Sequence, residues 1–371
     1  MSGQRQQPPE GRRRWPLFVL GGAIVVAAGG LIGAAVAAPG SSSSAATDTG
    51  ATPATTAQSC AVTTVAEDVL PSVVTVAAQG ADGSGTGSGE LIKSDGYILT
   101  NNHVISIAAG AGGAVHVLFA DGKSEPATIV GRDVLTDLAV LKVTSTEGIQ
   151  PIQIGSSASL RVGQPVVALG APLGLSGTVT SGIVSALDRT VEVPAENDSS
   201  ALLVSAVQTD AAINPGNSGG ALVNCSGDLI GIPTAGATVP SSTGESSGGS
   251  IGLGFAIPVD LGKTIADEII STGRVTHAFF GLQTVPIPQA TAAEAGISEG
   301  LFVAGVVAGG PAAKAGLAQG DIITKLDGSP ATTNVQLQEL TLTKSPGDKV
   351  TVDYVRDGKA ASTTVTLGTQ P

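Results

Sequence analysis

Three short stretches hold residue types that together can perform acyl transfer: Leu99-Thr100-Asn101-Asn102-His103-Val104, Thr136-Asp137-Leu138-Ala139 and Asn214-Pro215-Gly216-Asn217-Ser218-Gly219-Gly220. That chemistry needs a nucleophile, a base to take its proton and a group that orients the base. Ser218, His103 and Asp137 supply these types in the chain order His, Asp, Ser. The glycines of the third stretch fit the same purpose. Gly216 can adopt a positive φ, which turns amides inward. The amides around Gly216, Asn217 and Ser218 can then converge on a developing oxyanion. Each stretch alone is an ordinary turn or a surface charge. The chain has 3 histidines, so few other bases are available. His116 falls in an alternating strand pattern and His277 in a linker, and neither has such a context.

The surroundings that must position these groups read as β-rich. Short apolar runs alternate with Gly, Pro, Asn and Asp from about residue 61 to 258: 72–78, 96–100, 114–119, 138–143, 165–170, 182–187, 202–207 and 227–232. Many short strands at close spacing predict a sandwich or barrel. Residues 260–272 differ, because Ile265, Ile269 and Ile270 recur at helical spacing and Gly273 offers a stop. A helix there would close the domain.

Taken together, TNNHV, TDLAVLKV, TSGIVSAL, QTDAAINPGNSGGALVN and GFAIP resemble the HtrA (DegP/DegS-like) serine proteases over about residues 65–371. The resemblance implies a mainly-β fold, with a chymotrypsin-like double β-barrel protease domain over 60–274. It implies a serine endopeptidase with His103 as base, Asp137 as its orienter and Ser218 as nucleophile. It further implies an oxyanion loop at Asn214–Ser218, and regulatory loops at Thr178–Leu187 and Ala235–Ser250. A homotrimer whose activity is gated by loop ordering is also implied. The base of the primary pocket maps to Ala212, beside Ile213. Neither offers a charge, so small or medium aliphatic residues are expected before the scissile bond. Two positions depart from the pattern. Glu90 places a carboxylate where the family usually has an apolar residue, and Pro233 replaces a backbone donor beside the substrate-binding strand.

Residues 275–371 read as a separate α+β unit. Pro311 suits a helix start and Gly316 its stop. A second helix is expected over 335–344, and 349–367 alternates as a hairpin around Asp357-Gly358. GPAAKAGLAQGDIITKLDG is similar to a PDZ domain, a module that binds C-terminal peptides by adding a strand to a sheet edge. The carboxylate loop then maps to Phe280-Gly281-Leu282. Leu337 and Leu340 either line the groove or pack the core.

The remaining sequence bounds location and partners. Residues 1–16 are polar and basic, and 17–38 are uncharged, long enough as a helix to span about 33 Å against a hydrocarbon core of about 30 Å. Either a transmembrane anchor or a cleaved signal segment fits, and the length favours the anchor. The near-side arginines put the protease and PDZ units outside the cytoplasm. Residues 39–59 read as a flexible Ser/Thr/Ala/Pro linker. The chain of 371 residues carries a formal charge of −12, with the basic residues of the first segment excepted from the acidic excess, so nucleic acid is not an expected partner. Apolar residues reach 42% against 13% charged, which excludes a largely disordered chain. Outside the cytoplasm Cys60 and Cys225 are expected to pair, with two buried thiols as the alternative. No metal or cofactor motif is seen.

The substrates expected are misfolded or exposed segments of extracytoplasmic proteins. A dedicated DegS-like signalling protease and a non-catalytic PDZ chaperone or scaffold are the alternatives. Broad cutting of unfolded casein would separate the first two, and an intact triad argues against the last.

Overall fold

The computed structural model describes residues 60–171, 177–194, 200–236, 239–240, 246–247 and 250–370. The basic tail, the apolar segment 17–38 and the linker lie outside them. Among the described residues no helix is long and apolar enough to cross a membrane.

The described chain begins with helix α1 (Val62–Val69), whose Val65 and Val69 are buried. Strands β1 (Val73–Gly80), β2 (Gly83–Lys93) and β3 (Tyr97–Asn101) follow, then the short helix α2 (Asn102–Ile105) and strands β4 (Ala114–Leu118), β5 (Ser124–Asp133) and β6 (Leu138–Lys142). These six strands close into a barrel in the order β1-β2-β3-β6-β5-β4. The alternation of each strand drives closure: Val74, Val76, Leu91, Ile98, Val117 and Leu141 all turn inward and form one buried cluster.

A second six-stranded sheet comprises β7 (Pro165–Gly170), β8 (Thr178–Pro194), β9 (Ser200–Thr209), β10 (Ala221–Val223), β11 (Leu229–Gly236) and, after the two-residue strands β12 (Val239–Pro240) and β13 (Ser246–Ser247), β14 (Gly254–Pro258). Its antiparallel pairings run β7-β8-β9-β14-β11-β10, and β10 pairs back onto β7. Helix α3 (Val259–Thr272) follows, one residue earlier than the spacing predicts, and ends on Gly273 in the left-handed conformation. Its buried Ile265, Ala266 and Ile269 pack with Leu99 and Leu138 of the first barrel and Leu203 and Ile232 of the second sheet. One helix therefore knits both halves around the site.

The α+β region follows with β15 (Ala278–Phe279), β16 (Leu282–Ile287), α4 (Gln289–Ala295), β17 (Gly300–Val306), α5 (Pro311–Lys314), β18 (Ile322–Leu326), β19 (Ser329–Pro330), α6 (Asn334–Thr343), β20 (Lys349–Arg356), β21 (Lys359–Thr366) and β22 (Gly368–Thr369). Its main sheet runs β16-β17-β18-β20-β21, so β16 lies on an outer edge. Thr333 and Gln336 form a reciprocal cap that starts α6.

Cys60 and Cys225 form a disulfide. It ties the chain two residues ahead of α1 to the turn between β10 and β11.

Candidate active site

His103 sits in α2, directly after β3 delivers the chain to the barrel rim. Asp137 closes the turn between β5 and β6. Its φ of 58° is unusual for a residue with a side chain. The strain is held by hydrogen bonds to the Asp137 carbonyl from the Asn102 amide (3.0 Å) and Asn101 Nδ2 (2.8 Å). The carboxylate of Asp137 is buried and fully partnered. Oδ1 accepts from the His103 amide at 2.9 Å, and Oδ2 lies 2.8 Å from His103 Nδ1. Oδ2 also accepts from Thr234 Oγ1 of β11. The bond to Nδ1 fixes the ring orientation and leaves Nε2 unengaged by Asp137.

Ser218 lies across the seam on the loop before β10. Its hydroxyl donates to the Thr234 carbonyl at 3.3 Å, and among the described residues no hydrogen bond joins it to His103. Gly216 has φ 99°, as the expected inward turn of the loop requires. The Asn217 amide donates to the Asn214 carbonyl at 3.0 Å. The amides of Gly216 and Ser218 donate to no other group among the described residues. Of the three residues expected at the oxyanion hole, the outer two thus present available donors, while Asn217 closes the turn. The Asn217 side chain is buried and reaches the Ala212 carbonyl at 3.3 Å. Pro233 keeps one useful backbone group, since its carbonyl accepts the Gly219 amide at 2.9 Å.

Sequence reasoning missed Ser88. It lies on β2, 0% exposed, and clamps the loop from the first barrel. Its amide donates to the Ser218 carbonyl (2.9 Å), its hydroxyl donates to the Gly216 carbonyl (2.6 Å), and the hydroxyl accepts from the Ala171 amide (2.8 Å). Thr234 was likewise missed. Both signals lie in pairs far apart in sequence, where no local pattern reports them.

Ala212 and Ile213 separate in role. The Ala212 carbonyl also accepts from Thr180 Oγ1 at 3.0 Å, which links the loop to β8. The Ile213 side chain is 4% exposed and packs in the core of the second sheet beside Gly254.

Glu90 is fully buried two residues beyond Ser88, and neither carboxylate oxygen has a partner. Burial pushes its pKa well above the ordinary carboxylate value, against a smaller lowering by its own backbone amide. It therefore keeps its proton under conditions that ionise an exposed glutamate.

In the α+β region, Phe280, Gly281, Leu282 and Leu337 border a groove of about 270 Å³ between β16 and α6. Gly281 has φ 78°. Phe280 is buried, and Leu337 both borders the groove and packs on the core. The two alternatives for Leu337 thus coexist, while Leu340 packs on the core. Among the described residues no cluster of His, Cys, Asp and Glu could hold a metal ion.

Comparison with known proteins agrees with this arrangement. Residues 87–232 match the model of the trypsin-like peptidase domain, and residues 278–367 that of the PDZ domain. The serine protease PepD of Mycobacterium tuberculosis is 44% identical over 323 residues, spanning 85% of this chain and 68% of that protein. The periplasmic pH-dependent serine endoprotease DegQ of Escherichia coli is 41% identical over 77% of this chain, which spans 60% of its length. A solved structure of the HtrA-type protease AlgW with a decapeptide superposes with a TM-score of 0.65 at 32% identity, covering 84% of this chain and 99% of that one. A serine endoprotease from Yersinia pestis gives 0.62 at 33%, covering 85% and 100%. The chain belongs to the HtrA-type family of trypsin-like serine proteases with a C-terminal PDZ domain. Its activity at the level of that family is serine endopeptidase activity regulated through the PDZ domain.

Proposed function

We propose that the protein cleaves misfolded or exposed segments of extracytoplasmic proteins through an acyl-enzyme on Ser218. The observation that carries this reading is the His103–Asp137 pair at 2.8 Å, facing a serine loop with two available amides. Catalysis requires the Ser218 hydroxyl to leave the Thr234 carbonyl and bond to His103 Nε2. The Ser218 oxygen then attacks the scissile carbonyl carbon while Nε2 takes its proton. The carbonyl oxygen gains negative charge, which the Gly216 and Ser218 amides stabilise. A single such donor contributes about 2.7–4 kcal/mol in comparable enzymes. Collapse breaks the peptide bond as Nε2 returns the proton to the leaving amine. Water, deprotonated by the same nitrogen, then releases the acyl group. Asp137 holds the ring throughout and steadies the imidazolium.

In this reading the second sheet is the second barrel of a chymotrypsin-like pair, and the protease unit spans 60–274. Ala212 borders the primary pocket and favours aliphatic residues; Ile213 supports that wall from the core. The PDZ unit, 275–371, binds C-terminal peptides on the open edge of β16, with Phe280-Gly281-Leu282 around the carboxylate and Leu337 beside it. The peptide held by the AlgW structure supports peptide binding of this general kind. A homotrimer anchored through residues 17–38, with both units outside the cytoplasm, completes the assignment. The periplasmic location of DegQ and the disulfide support that side of the membrane.

Labelling with a fluorophosphonate tests the chemistry. The probe is expected to modify the native chain and not Ser218→Ala. Absence of labelling in folded protein, with and without denatured substrate, would falsify the hydrolase reading and leave a binding scaffold.

A further inference from the structure

A second buried carboxylate lies in the same turn as Asp137. Asp133 is the last residue of β5, and its side chain is 6% exposed. Two of its partners come from the turn itself: the Leu135 amide donates to Oδ1 at 3.3 Å, and Thr136 Oγ1 donates to Oδ2. The third comes from 144 residues away, where His277 Nε2 lies 2.9 Å from Oδ2. His277 is itself buried, with a side chain 9% exposed.

Both ends of this contact are attached to something functional. On one side, Asp133 pairs with Leu138 in the β5–β6 register, so residues 134–137 form the intervening loop. The shape of that loop sets the strained backbone of Asp137, and through it the ring of His103. The Leu202 amide of β9 braces the loop at the Leu135 carbonyl, 3.2 Å away. On the other side, the His277 carbonyl accepts from the Gln370 amide at 3.0 Å, and the next two residues pair with Gly368–Thr369. Ala278 and Phe280 then enter the PDZ core. His277 is thus held by the PDZ region in its backbone and by the protease turn in its side chain.

We propose that Asp133 and His277 are positioning residues for the His103–Asp137 pair, so that seating of the PDZ entry segment sets the catalytic geometry. This rests on the catalytic reading given above. A buried carboxylate without its partner repels its site, drawing water or moving the loop. A displaced Asp137 then holds His103 in a less productive orientation, and catalytic groups tolerate displacement of only about half an ångström. Substrate contacts lie elsewhere, so the turnover step is affected and binding is not.

The groups that share this environment define the pH arm of the test. His277 faces Asp133 from β5. It also borders a cavity of about 580 Å³ together with Glu268 of α3, Asp188 of β8, Asp260 at the start of α3, and Lys344 just beyond α6. Glu268 is engaged by the Thr276 amide at 2.9 Å, and Lys344 by Asp327 at 3.0 Å. Asp133 is the group in direct contact with the ring.

The test uses the full chain with Asp133→Asn, His277→Ala and His277→Gln. Peptide hydrolysis is measured per active site, counted by fluorophosphonate titration, across pH 5.5–8.5, an interval spanning the ordinary histidine pKa of about 6.5. Expected is a fall in kcat of about tenfold or more for Asp133→Asn and His277→Ala, with KM within about twofold, consistent with loss of one buried charge-assisted bond. His277→Gln, which keeps a donor, is expected to recover most of the loss. The acid limb of the kcat profile is expected to move in Asp133→Asn. Proton NMR of the His103 Nδ1–H, read on all forms, is expected to shift in the same two variants. A folded His277→Ala with native kcat and an unshifted resonance overturns the proposal. So does a variant whose activity falls only in proportion to its titratable sites, because that marks stability alone. Loss of labelling in the native chain instead removes the catalytic reading, and the NMR arm still judges the pair.

Discussion

Among the described residues of the protease region two places bury carboxylates, and they treat them in opposite ways. In the β5–β6 turn, Asp133 and Asp137 are surrounded by donors: two backbone amides, two threonine hydroxyls and two imidazoles. In the seam, Glu90 lies between Val73 and Leu99 on neighbouring strands, and neither of its oxygens finds a partner. The donors of the turn satisfy their carboxylates and fix them in place, as the orienting of a base requires. The apolar seam favours the neutral acid, which stands in for a hydrophobic residue at about the same volume. Burial alone therefore does not mark a functional acid; the number of donors aimed at it does.

The largest expected effect comes from removing the anion in the turn. Asp137→Asn is expected to lower kcat by about 10⁴ with a near-native fold, by analogy with loss of the same group from a serine triad. Steady-state hydrolysis together with circular dichroism checks this. Comparable activity in the variant would erase the contrast between the two sites. Next in size is Thr234→Val, which keeps the shape and removes one donor to Asp137. Hydrogen bonds to charged groups contribute about 1.5–3 kcal/mol, so kcat should fall by roughly one to two decades. An unchanged rate would show that the other partners of Asp137 suffice.

For Glu90 the direction reverses, and substitution stabilises. Glu90→Leu removes two unpartnered polar atoms, with a gain of about 1–3 kcal/mol at neutral pH in denaturant melts. Glu90→Gln sharpens the point through pH. The folded protein holds the Glu90 proton more tightly than the unfolded chain does, because burial raises its pKa above the ordinary 4.5. The favourable proton linkage is fully present below that ordinary value and is lost as pH rises through the raised one. Native stability should thus fall relative to Glu90→Gln by about 1.4 kcal/mol per pH unit within that window. Parallel stability curves for the two forms would show that Glu90 is solvated or partnered after all. The smallest effect belongs to an exposed carboxylate. Asp267 of α3 is lowered in pKa by the hydrogen bond from Lys263, with Lys93 assisting, but its side chain is 43% exposed. Solvent screens such pairs, so Asp267→Asn should change stability by about 0.3–0.5 kcal/mol. A larger loss in thermal melts would place Asp267 with the buried group.

Much of this was legible in the sequence because it is local. The apolar runs at 72–78, 138–143 and 202–207 fall in β1, β6 and β9, and the helix expected over 260–272 is α3. Strand β2 was not legible, because GSGTGSGELIK reads as punctuation. Its glycines answer to close approach instead: a Cβ at Gly87 would meet Val104 at 2.6 Å, and one at Gly89 would meet Ile98 at 2.8 Å. Helix α1 was also missed. Its threonines and valines argue for strand locally, and packing of Val65 and Val69 against Val167 and Leu169 overrides that preference. At the site, the three short motifs pointed to His103, Asp137 and Ser218. Ser88, Thr234 and the His277–Asp133 contact were invisible, since each acts on a residue 97 to 144 positions away. The left-handed backbone of Asp137 belongs to the same class, because the hydrogen bonds that hold its carbonyl come from Asn101 and Asn102 of the preceding strand and helix.

The Cys60–Cys225 bond also has a mechanical consequence. Tension applied to the chain ahead of Cys60 does not first meet the non-covalent face of α1, where a helix of eight residues could be peeled away. It passes through the disulfide into the turn between β10 and β11, where both strands are paired on either side. Peeling becomes shear across several ladders at once. The Ser218 loop enters β10 from the other end, so the disulfide and that loop hold opposite ends of one three-residue strand.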